Sequence, residues 1–285
     1  MHVRRYSSAA NFLKANLAEL VQHESEYNLK IGLSAQIAEG QLDGDRSCFF
    51  GVEAADGRLA GQALRTSPEK PLLLSHLSDQ GLDCLLEKLT EDSLELTGVI
   101  GPGETASAFA DRWTAATVSS ATVQMRHLVY EARAIVLPPS EGGELIVADD
   151  TLFELATEWT EAFARECFPQ ERRETGQSEE FVSRLLPRGL LFFWKSRDGK
   201  PVSMAAHNRE SPNGATVSHV YTPEHLRRKG YASCVTGYLS QRILDSGKSF
   251  CNLFTDASNR SSNRIYKRLG YELIGESLHY VFTPR

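Results

Sequence analysis

The chain has 285 residues, 41% of them apolar and 24% charged, which is long for one compact domain, suggests two, and excludes a disordered or fibrous class. Its net charge of −6 lacks the basic footprint that phosphate-backbone binding needs, so nucleic acid is not an expected partner. Five scattered cysteines without a C-x-x-C pair argue against a disulfide framework or metal site, and no apolar run suits a signal peptide or membrane span, so a cytoplasmic protein with no membrane partner is expected.

In chain order, the first clear device is a hairpin: strand 48–53, an Asp56-Gly57 turn, then strand 59–63. A strand at 72–74, a helix at 81–89 and a strand at 95–100 follow. Leu137-Pro138-Pro139-Ser140-Glu141-Gly142-Gly143 denies both helix and ladder hydrogen bonds, and sets a boundary between domains spanning 1–137 and 144–285. Beyond it come a strand at 144–148 and a helix running to about Glu166, opened by a Thr151-to-Glu154 capping box, with Phe153, Ala156, Thr160 and Phe163 along one face. A second hairpin joins 189–195 to 201–206 through Asp198-Gly199. Then come strand 215–221, helix 230–244 and strand 250–255. The two halves repeat one element order at matching spacing, which predicts a duplicated α/β unit, each a mixed sheet flanked by helices.

The chemistry concentrates after the strand 215–221, in Arg227-Arg228-Lys229-Gly230-Tyr231-Ala232. A helix start has unpaired N–H groups and partial positive charge, suited to a pyrophosphate. Gly230 and the small Ala232 let phosphate oxygens approach the backbone, while Arg227, Arg228 and Lys229 add charge at the rim. The alternative is an amphipathic helix with a solvated basic first turn, although three cations there oppose the helix dipole. A second stretch, from Phe254 to Tyr271, reads as strand, polar loop and short helix. Ser261 or Ser262 caps that helix, Ile265 and Leu269 form its apolar stripe, Gly270 stops it, and Tyr266 lies beside the stripe. Standing alone, Tyr266 would read as a core or rim aromatic with a satisfied hydroxyl.

Together the two stretches resemble the GNAT superfamily of acyl-CoA-dependent N-acetyltransferases. The acyl-CoA loop of that family has Arg or Gln, two residues, Gly, one residue, then Gly or Ala, and Arg227 to Ala232 fits each fixed position. The family's later Asn and Tyr correspond to Asn259 and Tyr266. The resemblance covers about 140 residues at the C-terminal end and implies an α/β fold of two tandem GNAT-like domains. It further implies acetyl-CoA as cosubstrate and an amine of a small molecule or peptide as acceptor. By analogy the cofactor's pantetheine and acetyl end lies along His219, Val220 and Tyr221, and a backbone N–H near Val220 polarises the thioester. Ser262 joins Arg227, Arg228, Lys229, Gly230, Tyr231, Ala232 and Asn259 in binding, and Tyr266 protonates the leaving thiolate.

Between Leu72 and Leu89 the N-terminal half offers only Ser78-Asp79-Gln80-Gly81, with no arginine cluster. Nor does the helix after Gly101-Pro102-Gly103-Glu104 carry a matching Asn and Tyr. The first half therefore reads as a degenerate copy without the cofactor motif. His219, or Glu161 and Glu166 through water, are candidate bases for the incoming amine, set against a packed histidine and solvated glutamates. Acidic residues Glu171, Glu174, Glu179 and Glu180 suit a cationic acceptor, diluted by Arg172 and Arg173, and the polar segments 168–180 and 208–214 are the acceptor loops. The N-terminal half completes the acceptor pocket, covers a sheet edge or forms a homodimer interface, alternatives the residues leave open. The alternative function is a catalytically silent acyl-CoA sensor or interaction protein on the same fold.

Overall fold

The computed structural model describes residues 1–169 and 175–284. The chain divides into two compact units: Met1–Val129 with Phe254–Asn259 and Leu273–Arg285, and Tyr130–Leu253 with Arg260–Glu272.

The first unit contains β1 (His2–Tyr6), α1 (Ala9–Leu20), α2 (Glu24–Ala38), β2 (Cys48–Glu53), β3 (Leu59–Arg65), β4 (Leu72–Leu74), α3 (Asp79–Glu91), β5 (Gly98–Pro102), α4 (Gly103–Ala116) and most of β6 (Ser119–Ala132). Its strands run in the order β1-β2-β3-β4-β5-β12-β6, where β12 is Glu272–Pro284 from the far end of the chain. β4 and β5 are parallel, and β12 pairs antiparallel with β5 from Ser277↔Pro102 to Val281↔Gly98.

Side-chain alternation at period two lets this sheet bury both faces. Phe50, Val52, Leu72 and Leu74 join Leu82, Leu85, Phe109 and Trp113 of α3 and α4 in one core. Their neighbours Phe49, Leu64 and Leu73 join Phe12, Leu20, Tyr27 and Ile31 of α1 and α2 in the other. Each fully buried aromatic or aliphatic side chain contributes about 1.5–3 kcal/mol by leaving water, so the alternation alone fixes which helix pair takes which face.

The second unit contains β7 (Glu144–Val147), α5 (Phe153–Cys167), α6 (Gln177–Leu185), β8 (Leu191–Lys195), β9 (Pro201–Glu210), β10 (Gly214–Tyr221), α7 (Tyr231–Asp245), the start of β11 (Phe250–Asp256) and α8 (Arg260–Arg268). Its strands run β11-β10-β9-β8-β7. Leu191, Phe193, Met204 and Ala206 pack on Ala156 and Trp159 of α5 and Val182 of α6. From the opposite face, Trp194 packs against Tyr238 of α7, with the ring centroids 4.8 Å apart and the planes tilted by 49°. Gly237, inside α7, is a close-approach glycine: a Cβ there would stand 3.0 Å from both Leu269 Cδ2 and Pro138 Cδ.

Both units therefore have a mixed sheet between helices, as the repeat implies. Several details differ from the sequence reading. The division between units falls inside β6 at Val129 and Tyr130, ahead of the Pro138-Pro139 segment, and β12 groups with the first unit. The proline segment instead packs on α7, with Tyr238 Oη donating to Pro138 O at 3.4 Å. Asp149, and not Thr151, caps the turn before α5, its carboxylate accepting from Thr151 N at 3.0 Å, because a carboxylate accepts more strongly than a hydroxyl. Helix α8 begins at Arg260, so Ser261 and Ser262 lie inside its first turn instead of capping it. Glu179 and Glu180 are exposed on the first turn of α6, a helix the sequence reading left as loop, and β9 extends to Glu210, shortening the second acceptor loop. Glu171, Arg172, Arg173 and Glu174 lie outside the described residues.

Candidate functional site

Two backbone features of β10 set the site. Its parallel pairing with β11 covers Gly214↔Phe250, Ala215↔Cys251 and Thr216↔Asn252, while Val217, Ser218 and Tyr221 pair antiparallel with β9. On that side the register runs Ser218↔Ala206 and then Tyr221↔Met204, so β10 carries one extra residue, a bulge at His219–Val220. His219 has φ +50°, a left-handed conformation unfavourable for a side chain that is not glycine. Bulges re-aim backbone N–H groups and side chains out of the ladder, and they recur where a sheet meets a ligand.

The His219 ring stacks on Phe181 at 3.9 Å between centroids and lies 4.8 Å from Phe163, with Nδ1 3.2 Å from Ser218 Oγ. Its imidazole is held between α5 and α6, the packed arrangement set against a base in the sequence reading. Tyr221 is half-buried. Its ring lies 6.0 Å from that of Trp159, its hydroxyl is 3.5 Å from Glu166 Oε1, and burial raises that hydroxyl's pKa.

After β10 the chain turns through Thr222 and Pro223. Ser203 Oγ holds this turn, 2.9 Å from Tyr221 O and 2.8 Å from Thr222 Oγ1. Arg227 is tied down twice. Its Nε donates to Thr222 O at 2.8 Å, and Nη2 reaches both Glu166 oxygens at 2.8 and 2.6 Å. Arg227 thus braces the loop against α5, and Glu166 is engaged by that guanidinium instead of standing free as a base. Arg228 and Lys229 remain exposed at the rim, Arg228 with φ +63°. Gly230 follows at φ +84° with open space around its missing Cβ, and α7 starts at Tyr231 with no side-chain cap. Uncapped N–H groups of Tyr231, Ala232 and Ser233, behind a left-handed glycine and two cations, make an anion-binding concavity.

Tyr266 on α8 is 7% exposed, 6.1 Å from the Tyr130 ring and 6.0 Å from that of Tyr271. Burial pushes its hydroxyl up to about 12, with Ser262 as a hydrogen-bonding partner that opposes the shift. Such a phenol keeps its proton at neutral pH. Full transfer to a thiolate whose acid has a pKa of about 8.5 would run uphill by roughly 5 kcal/mol, so the group suits hydrogen-bond donation to sulfur better than acid dissociation. Asn259, whose N–H donates to Asp256 O at 3.0 Å, is exposed and belongs to the segment Phe254–Asn259 that groups with the first unit. Glu161 is exposed on α5. Sequence reasoning missed the Glu166–Arg227 brace and the two rings around His219. The one available signal was the location of Glu166 and Phe163 on one helix, three residues apart.

The FR47-like protein family model matches residues 196–281. No curated protein sequence matches the chain. Among solved structures, a Drosophila protein is similar over 99% of this chain and 98% of its own, at 13% identity and a TM-score of 0.67. A GNAT-family acetyltransferase from Colwellia psychrerythraea is similar over 99% and 100%, at 15% identity and a TM-score of 0.57. A tandem GNAT protein from the clavulanic acid biosynthesis pathway is similar over 99% and 98%, at 11% identity and 0.55. This chain has the tandem GNAT fold. In that fold the bulged β10, the Gly230 turn and α7 form the strand-turn-helix corner of the second unit, and β4, Ser78 and α3 form the matching corner of the first.

Proposed function

We propose that the second unit binds acetyl-CoA and that the chain transfers its acetyl group to a primary amine of a small molecule or peptide, in the cytoplasm. The observation that carries this reading is the uncapped N-terminus of α7 behind Gly230, with Arg228 and Lys229 exposed beside it. Backbone N–H groups at 231–233 hold the pyrophosphate, aided by the two cations. The bulged backbone at His219, Val220 and Tyr221 takes the pantetheine and acetyl end, and the N–H near Val220 stabilises the oxyanion as the amine attacks. Asn259 and Ser262 orient the cofactor, and Tyr266 donates a hydrogen bond to the departing sulfur.

With His219 stacked between two rings and Glu166 engaged by Arg227, the amine loses its proton to water. The N-terminal segment 1–129 serves structure and not cofactor binding. The test is calorimetric titration with acetyl-CoA, followed by a screen of amines for release of free thiol. One saturable site per chain with thiol release in the presence of an amine supports the reading, and absence of acetyl-CoA binding refutes it. The second reading, a silent acyl-CoA binder, is favoured by the same engagement of His219 and Glu166, two of the three candidate bases. It predicts tight binding with no thiol release for any amine.

A further inference from the structure

Arg184, on the last turn of α6, has no carboxylate within ion-pair distance among the described residues. Its Nη1 is buried and has no hydrogen-bond partner. Burial, and then the charge of Arg188, hold its pKa below the ordinary arginine range, with Glu180 opposing them. Arg209 on β9 adds like charge from the sheet. The helix dipole favours a cation at this end of α6 but supplies no acceptor for Nη1. An unsatisfied guanidinium nitrogen out of water is costly, and a carboxylate is the partner that its planar fork fits best.

This guanidinium adjoins the rings around the β10 bulge. Its Cζ is 5.6 Å from the centroid of Phe181, one turn earlier on α6, and the same ring stacks on His219 at 3.9 Å. Phe163 of α5 lies 4.8 Å from the His219 ring, and Phe168, at the end of that helix, lies 6.3 Å from Phe163. All four rings are partly exposed. They come from the α5 and α6 side of the sheet, opposite the face on which α7 packs. A molecule lying on them therefore reaches the bulge from the side away from the helix whose start receives the pyrophosphate. Of the acidic residues on this side, Glu166 is bound by Arg227, and Glu161, Glu179 and Glu180 are exposed.

We propose that the acceptor is an amino acid with an aromatic or large apolar side chain, its carboxylate on Arg184 and its side chain against Phe163, Phe168 and Phe181. The inference rests on the acetyl-transfer reading and narrows its acceptor. The carboxylate supplies the partner that the guanidinium lacks, the side chain covers the exposed faces of the rings, and two anchors on one small molecule fix the approach of its amine. In the transfer the ammonium gives one proton to water, and the nitrogen bonds to the acetyl carbon as the carbon–sulfur bond breaks. A second nitrogen proton leaves with the sulfur as free thiol. Arg184 holds the acceptor and takes no part in bond making.

The experiment is a calorimetric titration of the full chain, with coenzyme A present, by three products. These are N-acetylphenylalanine, N-acetylphenethylamine, which lacks the carboxylate, and N-acetylglycine, which lacks the ring. N-acetylphenylalanine should saturate one site about tenfold more tightly than either of the others. Arg184→Gln should lose that advantage, bind N-acetylphenethylamine as the wild type does, and keep a cooperative melt. No saturation with N-acetylphenylalanine, equal binding of N-acetylphenethylamine, or an unchanged preference in the variant overturns the proposal. If the variant does not fold, equal binding of those two products by the wild type overturns it equally. Acetyl-CoA binding with no preference for the carboxylate sinks this inference alone, whereas absence of acetyl-CoA binding sinks the transfer reading beneath it.

Discussion

The two units build the same strand-turn-helix corner and give it opposite electrostatics. In the first, β4 is three residues long and α3 is closed at its start: Ser78 Oγ accepts from Gly81 N at 3.2 Å. Asp79 follows in the first turn, and Arg112 reaches Asp79 at 2.7 Å and Asp83 at 2.8 Å. In the second, the strand bulges, the turn passes through left-handed Arg228 and Gly230, and α7 opens with neither a cap nor an acidic residue. A helix start that satisfies its own N–H groups is stable and has nothing to offer an anion. One that leaves them open gives up about 1 kcal/mol and becomes a site. The same fold thus separates into a corner built for stability and a corner available for a ligand, decided by one capping serine and the sign of the neighbouring charges.

The sharpest way to break that contrast is at α7 itself. Arg228→Ala and Lys229→Ala combined with Gly230→Val should lower acetyl-CoA affinity at least 100-fold in calorimetry, since a β-branched residue at φ +84° costs about 1–2 kcal/mol on its own. Retained affinity would place the cofactor elsewhere and erase the difference between the corners. Next in size, Tyr266→Phe should reduce kcat about 10- to 100-fold with little change in KM. A full rate across the pH range would remove Tyr266 from the chemistry and favour the silent reading.

The buried Lys30 gives the first unit its own signature. Folded, this amine loses its proton near 7, whereas in the unfolded chain it does so near 10.4. Between those values the unfolded chain binds more protons, so stability rises with pH across that window, by at most about 1.4 kcal/mol per pH unit. Urea midpoints at pH 6.5 and pH 9 should therefore move apart in the wild type and much less in Lys30→Met. Ser78→Ala should cost about 1 kcal/mol of stability, read as a lower urea midpoint, and leave acetyl-CoA affinity unchanged. A fall in affinity would mean that the first corner takes part in binding after all. The smallest effect is expected for Glu166→Ala. Its pair with Arg227 is 40–45% exposed at both side chains, so stability should change by under 1 kcal/mol. Freeing the guanidinium should tighten acetyl-CoA binding a few-fold, and weaker binding would show that the brace positions the loop.

What the residues alone determined was everything carried by short-range rules. The hairpins at Asp56-Gly57 and Asp198-Gly199, the strand-helix-strand order after each hairpin and the Gly230 turn all depend on neighbours within a few positions, where turn chemistry and side-chain period act. The tertiary structure decided what depends on distant partners. β12 pairs with β5 although Ser277 and Pro102 are 175 residues apart in sequence, and no local propensity encodes which edge a strand will join. The polar groups followed the same rule. Arg227 reads as a phosphate ligand until α5 brings Glu166 to it, and His219 reads as either a base or a packed ring until Phe163 and Phe181 close on it. Charge and pKa follow from burial and from partners, and burial is a property of the packed chain.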